Sequence, residues 1–107
     1  MEIIMISVII PTYNKPIHLA MALKSFSEQD IAKSEYEIIV VDDDSDMSLI
    51  YIIERYRDLL QLQYVKVSKI GRAGARNIGI DMAKGDIIVF SDDDTIVEPN
   101  FVQQHRD

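Results

Sequence analysis

Seven aspartates fall into two tight runs, Asp42, Asp43, Asp44 and Asp46, then Asp92, Asp93 and Asp94. Adjacent carboxylates repel one another, and a divalent cation with oxygen ligands relieves that repulsion. Asp92 and Asp94 stand two apart, so in an extended segment they point to one side and can offer oxygens to a single Mg²⁺ or Mn²⁺, leaving positions for a diphosphate. Between the two runs stand Lys66, Lys69, Arg72 and Arg76. Alternating acidic and basic segments suit a site that holds both a cation and an anion. The competing reading of each charge run is a solvated face.

The rest of the composition narrows what such a site can be. A net charge of −7 argues against a general binder of nucleic-acid backbones, which relies on clustered Lys and Arg. With 48% hydrophobic and 27% charged residues over 107 positions, the chain reads as a single packed globular domain. The absence of cysteine excludes a disulfide framework and thiolate metal sites. The longest apolar stretch, Ile3 to Ile10, is far too short to span a membrane and lacks the basic start of a signal peptide. A cytoplasmic location is the expectation.

Strands and helices must alternate to position these residues. Ile3 to Ile10 reads as a buried parallel strand ended by Pro11, followed by a helix opening at Pro16 and running to about residue 29. Glu37 to Val41 is a second β-branched run that leads straight into Asp42. A helix capped by Ser45 or Asp46 over 47–60, a strand over 63–67, a helix from Gly71 to about Lys84 closed by Gly85, and a strand over 87–90 follow. A last helix opens at Pro99. Gly79 lies inside the third helix, where glycine costs about 1 kcal/mol, which points to close packing on the sheet or approach to a ligand. In an open parallel sheet the carboxyl ends of the strands share one edge, so Pro11 to Asn14, Asp42 to Asp44 and Asp92 to Asp94 are expected on a single rim where ligands bind.

Four segments, in this order, resemble the family 2 glycosyltransferases, which have the GT-A fold. They are Ser7-Val8-Ile9-Ile10-Pro11-Thr12-Tyr13-Asn14, Glu37-Ile38-Ile39-Val40-Val41-Asp42-Asp43-Asp44-Ser45, Gly74-Ala75-Arg76-Asn77-Ile78-Gly79, and Gly85-Asp86-Ile87-Ile88-Val89-Phe90-Ser91-Asp92-Asp93-Asp94. The resemblance implies a Rossmann-like, mostly parallel sheet with flanking helices that binds a nucleoside-diphosphate sugar, UDP-linked by expectation. It also implies roles for single residues. Pro11, Thr12 and Tyr13 line the nucleoside pocket, Asp43 accepts from the N3 of a uracil or an equivalent base edge, and Arg76 contacts the nucleotide or its diphosphate. Asp94 binds Mn²⁺ or Mg²⁺, and Asp92 and Asp93 touch metal, ribose or sugar.

The same resemblance implies an inverting transfer to a saccharide or lipid-linked acceptor, with a carboxylate general base in an acceptor-binding half. That base is expected beyond Asp107, so residues 1–107 read as one donor-binding domain whose acceptor half is absent, inactive alone. It further implies that the strand at Ile87 to Phe90 is left as a sheet edge, through which the chain is expected to self-associate.

Rival readings fail on particular residues or remain open. A dinucleotide oxidoreductase needs Gly-x-Gly-x-x-Gly after the first strand, and a phosphate-loop nucleotidase ends its loop in Gly-Lys-Ser/Thr; neither pattern is present. A receiver-like module carries its phosphate-accepting Asp after the third strand, where this chain has Val67-Ser68-Lys69. A sugar nucleotidyltransferase carries a Gly-rich basic loop where this chain has Pro11-Thr12-Tyr13-Asn14. That enzyme and a non-catalytic nucleotide- and metal-binding module are the alternatives kept.

Overall fold

A computed structural model describes residues 4–107, so the expected opening of the first strand at Ile3 lies outside the described residues. Four strands, β1 (Ile6–Thr12), β2 (Tyr36–Asp43), β3 (Leu62–Val67) and β4 (Ile87–Phe90), alternate with helices α1 (Pro16–Ser27), α2 (Ile50–Arg57) and α3 (Gly71–Met82), and α4 (Phe101–Arg106) follows β4. The strands form one sheet in the order β3-β2-β1-β4, and each pairing is parallel. The expected parallel α/β architecture is borne out.

The central pair, β1 and β2, is covered on both faces, which is why its sequence reads as unbroken apolar runs rather than alternation. On one face Val8, Ile10, Ile38 and Val40 pack with Leu19, Leu23 and Phe26 of α1 and Ile53 and Tyr56 of α2. On the other, Ile9, Ile39 and Val41 meet Ala75 of α3. Burying each such Ile or Val fully stabilises the fold by about 1.5–3 kcal/mol. The reading of Gly79 is also met, since a Cβ there would lie 2.4 Å from Ile9 Cγ2.

Several boundaries differ from expectation for identifiable reasons. Pro11 does not end β1; it pairs with Val41 inside the strand. Ile9 points its carbonyl toward β4, where it accepts from the Ser91 amide at 3.0 Å, and Pro11 two residues on faces the same side beyond the last β4 pairing. Its missing N–H therefore removes no ladder bond. Ser45 and Asp46 do not cap α2, which begins only at Ile50 after Leu49 with no side-chain cap. Gly85 does not terminate α3, whose C-cap is Ala83 in extended conformation. Gly85 instead lies where a Cβ would come within 2.6 Å of Ser7 Oγ and 2.8 Å of the Met5 carbonyl oxygen, so close approach of the two strands is what requires glycine there.

At the amino edge of the sheet a buried carboxylate holds three segments together. Glu37 accepts from Ser7 Oγ at 2.7 Å, Gln63 Nε2 at 2.8 Å and the Lys84 amide at 2.7 Å. Its place at the start of β2, opposite the acidic rim, makes it a structural group.

Candidate functional site

The carboxyl ends of β1, β2 and β4 and the start of α3 surround a pocket of about 270 Å³. Pro11, Thr12, Tyr13, Lys15, Asp43, Lys69, Arg72 and Asp93 line it. The strand-end loops take up unusual backbone conformations. Asn14 (φ 52°) and Asp44 (φ 64°) occupy the left-handed region, which Asn and Asp tolerate better than most residues. Gly71 (φ 82°) does the same at the first position of α3. A Cβ there would meet no atom within 4 Å, so conformation and not crowding selects glycine.

The members of each aspartate run have separate tasks. Asp42 is fully buried and accepts from Tyr64 Oη at 2.7 Å and the Ser45 amide at 2.9 Å. Burial first, then the bond to Asp42 and its charge, raise the Tyr64 phenol above the usual tyrosine range, which keeps it a neutral donor. Asp43 receives the Ile70 amide at 2.8 Å and the Gly71 amide at 3.1 Å, so it caps the start of α3 across the pocket. In the second run, Asp93 is buried and accepts from Thr12 Oγ1 at 2.9 Å. Asp92 forms an ion pair with Arg72 at 3.1 Å, and Asp94 is exposed in the turn that follows.

Together these contacts close a ring around the pocket. The β1 loop joins the β2 loop where Asn14 and Asp46 exchange bonds of 3.0 and 2.7 Å and Ser45 Oγ accepts from the Asn14 amide. Asp43 joins β2 to α3, the Arg72–Asp92 pair joins α3 to the segment after β4, and Asp93 returns to Thr12 on β1. Tyr13 stands at the pocket wall, partly exposed, with Lys69 Nζ 4.6 Å from its ring centre.

Of the residues singled out by sequence, Pro11, Thr12, Tyr13, Asp43 and Asp93 line the pocket, Asp92 is joined to it through Arg72, and Asp94 is exposed in the turn after Asp92. Arg76 is not among the residues that line the pocket. One turn beyond Arg72, about 6 Å further along the helix, its guanidinium covers the ring of Phe90 at 5.5 Å and its buried Nε has no hydrogen-bond partner among the described residues. Lys15, Lys69 and Arg72 complete the lining, and sequence reasoning reaches only the last two, as members of the basic stretch. The placement of Arg72 at the second residue of α3, with its side chain directed at the acidic rim, is what separates it from Arg76.

The extended segment expected to bring Asp92 and Asp94 to one side is instead a turn, closed by the Thr95 amide on the Asp92 carbonyl at 3.2 Å. The two exposed carboxylates are of the oxygen-donor type that Mg²⁺ or Mn²⁺ takes, sharing its coordination with phosphate and water. Among the described residues no group of three or more His, Cys, Asp or Glu side chains comes together as a complete protein-built metal site.

Comparison with known proteins places this architecture. The family model described as glycosyl transferase family 2 matches residues 7–106. The poly(ribitol-phosphate) beta-N-acetylglucosaminyltransferase TarS of Staphylococcus aureus is 36% identical over 112 residues, covering 94% of this chain and 19% of that protein. The chain thus spans about a fifth of that curated relative's length. The crystal structure of S. aureus TarS 1–349 in complex with UDP-GlcNAc superposes with a TM-score of 0.88 at 32% identity, covering 94% of this chain and 29% of that one. A mannosyltransferase from Pyrobaculum calidifontis in complex with GDP-Man and Mn²⁺ gives a TM-score of 0.85 at 27% identity, over 94% of this chain and 31% of the other. The expected GT-A fold is borne out by these superpositions.

Proposed function

The chain belongs to glycosyl transferase family 2, and from that premise we propose that its rim pocket binds the nucleoside diphosphate of an activated sugar, UDP-linked, as the donor site of an inverting glycosyl transfer to a saccharide or lipid-linked acceptor. The observation that carries this reading is the composition of the pocket wall: an aromatic ring and a carboxylate, Tyr13 and Asp43, beside three cationic side chains, Lys15, Lys69 and Arg72. Tyr13 offers a face to a base. Asp43 still has lone pairs free after capping α3, and these suit an N–H on a base edge. The three cations and the amino end of α3 favour the diphosphate.

Asp92 and Asp94, the Asp-x-Asp pair, would hold Mn²⁺ or Mg²⁺, with Asp93 fixed behind them by Thr12. Such a cation supplies neutralisation of the charge that develops on the departing diphosphate. In this reading residues 1–107 form a donor domain, and a carboxylate general base would take the acceptor proton. The reaction belongs to the cytoplasm in this reading.

Calorimetry with UDP in Mn²⁺ and in chelator tests the site. Tighter binding with Mn²⁺ is expected. Equal affinity in both removes the cation from the reading, and no binding of UDP or any other nucleoside diphosphate removes the reading itself.

Self-association through β4 belongs to the same proposal. Among the described residues β4 pairs with β1 alone, and Ile88 and Phe90 are exposed on it. Sedimentation over a range of concentrations is expected to show a dimer that Ile88→Lys weakens. A monomer at every concentration contradicts it.

A further inference from the structure

The ring around the pocket contains one link unlike the others. Thr12–Asp93 is buried, and Asp43 meets main-chain amides, whereas Arg72–Asp92 joins two full charges whose side chains are 59% and 54% exposed. An exposed ion pair contributes little and opens readily. It nevertheless has a cost for ligands, because each partner carries the charge that one half of a metal–diphosphate ligand needs. While the pair is closed, Arg72 neutralises the carboxylate a cation would use, and Asp92 neutralises the guanidinium an anion would use.

We infer that Arg72 and Asp92 are exchange partners: as the donor binds, Asp92 passes from Arg72 to the divalent cation and Arg72 passes from Asp92 to the diphosphate. The inference rests on the donor-site reading above and adds to it a role for Arg72 and an energetic coupling. Either ligand alone must break the pair and leaves one charge without its partner. Once one ligand has broken it, the other finds its residue already free. Cation and diphosphate therefore bind with positive coupling, and the coupling is reciprocal. Geometry supports a short exchange, since Arg72 is the second residue of α3, directly after Gly71, and lines the pocket itself.

The test uses the chain with Mn²⁺ alone, with UDP alone in chelator, and with both. Arg72→Met is expected to bind Mn²⁺ about threefold to fivefold more tightly than the unsubstituted chain when no nucleotide is present, as read by electron paramagnetic resonance of free Mn²⁺. Asp92→Asn is expected to bind UDP in chelator more tightly by a similar factor, and this gain must shrink in an Arg72→Met background. An equal gain in both backgrounds reports only the loss of a repulsive carboxylate and overturns the exchange. Unchanged or weaker Mn²⁺ binding by Arg72→Met overturns it as well. Failure of the donor-site reading is separate, because it appears in the unsubstituted chain as an absence of nucleoside diphosphate binding. Both side chains are exposed, and thermal unfolding of each variant confirms that the fold is retained.

Discussion

Thr12 Oγ1 donates to Asp93 Oδ2 at 2.9 Å, tying the last residue of β1 to the segment after β4. Asp93 is only 5% exposed, so without this donor its carboxylate would be buried and short of a partner. Thr12→Val keeps the shape and removes the hydroxyl. A loss of about 1–3 kcal/mol is expected in thermal or denaturant unfolding, together with weaker UDP binding as the rim loosens. Unchanged stability contradicts the link.

Asp43 serves two roles, and a single change separates them. Asp43→Asn leaves one oxygen acceptor where the carboxylate offered both oxygens to the Ile70 and Gly71 amides. A loss of stability of about 1 kcal/mol is expected from the weakened cap. If the base edge also uses this carboxylate, UDP affinity falls well beyond what stability explains. Calorimetry on folded protein that shows no change in affinity assigns Asp43 to the helix alone.

Glu37→Gln makes the opposite prediction. The carboxylate lies at the amino edge of β2, about 20 Å of strand from Asp43 by the rise per residue, and accepts three hydrogen bonds. An amide places two of its own hydrogens among donors. Unfolding is expected to become easier by about 1–3 kcal/mol, with UDP affinity unaltered. A change in affinity at constant fold would connect the two edges.

Alkaline pH tests the buried phenols. Burial pushes Tyr36 up to about 12, and Tyr64 is raised as well, by burial and then by Asp42. Unfolded tyrosines lose their proton near pH 10. From there to about pH 12 the unfolded chain binds fewer protons than the folded one, so stability falls as pH rises, whereas below that window these groups contribute no slope. The unfolding midpoint is expected to decline less steeply across the window in Tyr36→Phe. Equal slopes rule out Tyr36 as a source.

The sheet was legible because strands covered on both faces leave continuous runs such as Ile38-Ile39-Val40-Val41, and because each run leads into polar turn residues. The shared rim followed from parallel topology alone. Other features depend on contacts that adjacent residues do not encode. Whether Pro11 interrupts β1 depends on where the neighbouring strand stops, a fact set some eighty positions away by the pairing of Ile9 with Phe90. Ser45 has the composition of a helix cap, but its hydroxyl accepts from the Asn14 amide of the β1 loop instead. Arg72 and Arg76 are equivalent in composition and lie one turn apart, so it is their place along α3, at its start or one turn in, that decides that the first lines the pocket.

The seat of α3 on the sheet has an anchor with no polar atom in it. Gly79 seats α3 so deeply on Ile9 that a single added methyl would sit 2.4 Å from Cγ2 and must push something aside. The near end of the same helix carries Arg72 and the amides held by Asp43. A wedge at mid-helix therefore acts as a lever: the fulcrum is an apolar contact beneath the sheet's surface, and the displaced arm is the charged wall of the pocket. Alanine at this position would be an inconspicuous replacement by chemistry and a remote one by location, yet its effect would be read out as a misaligned rim.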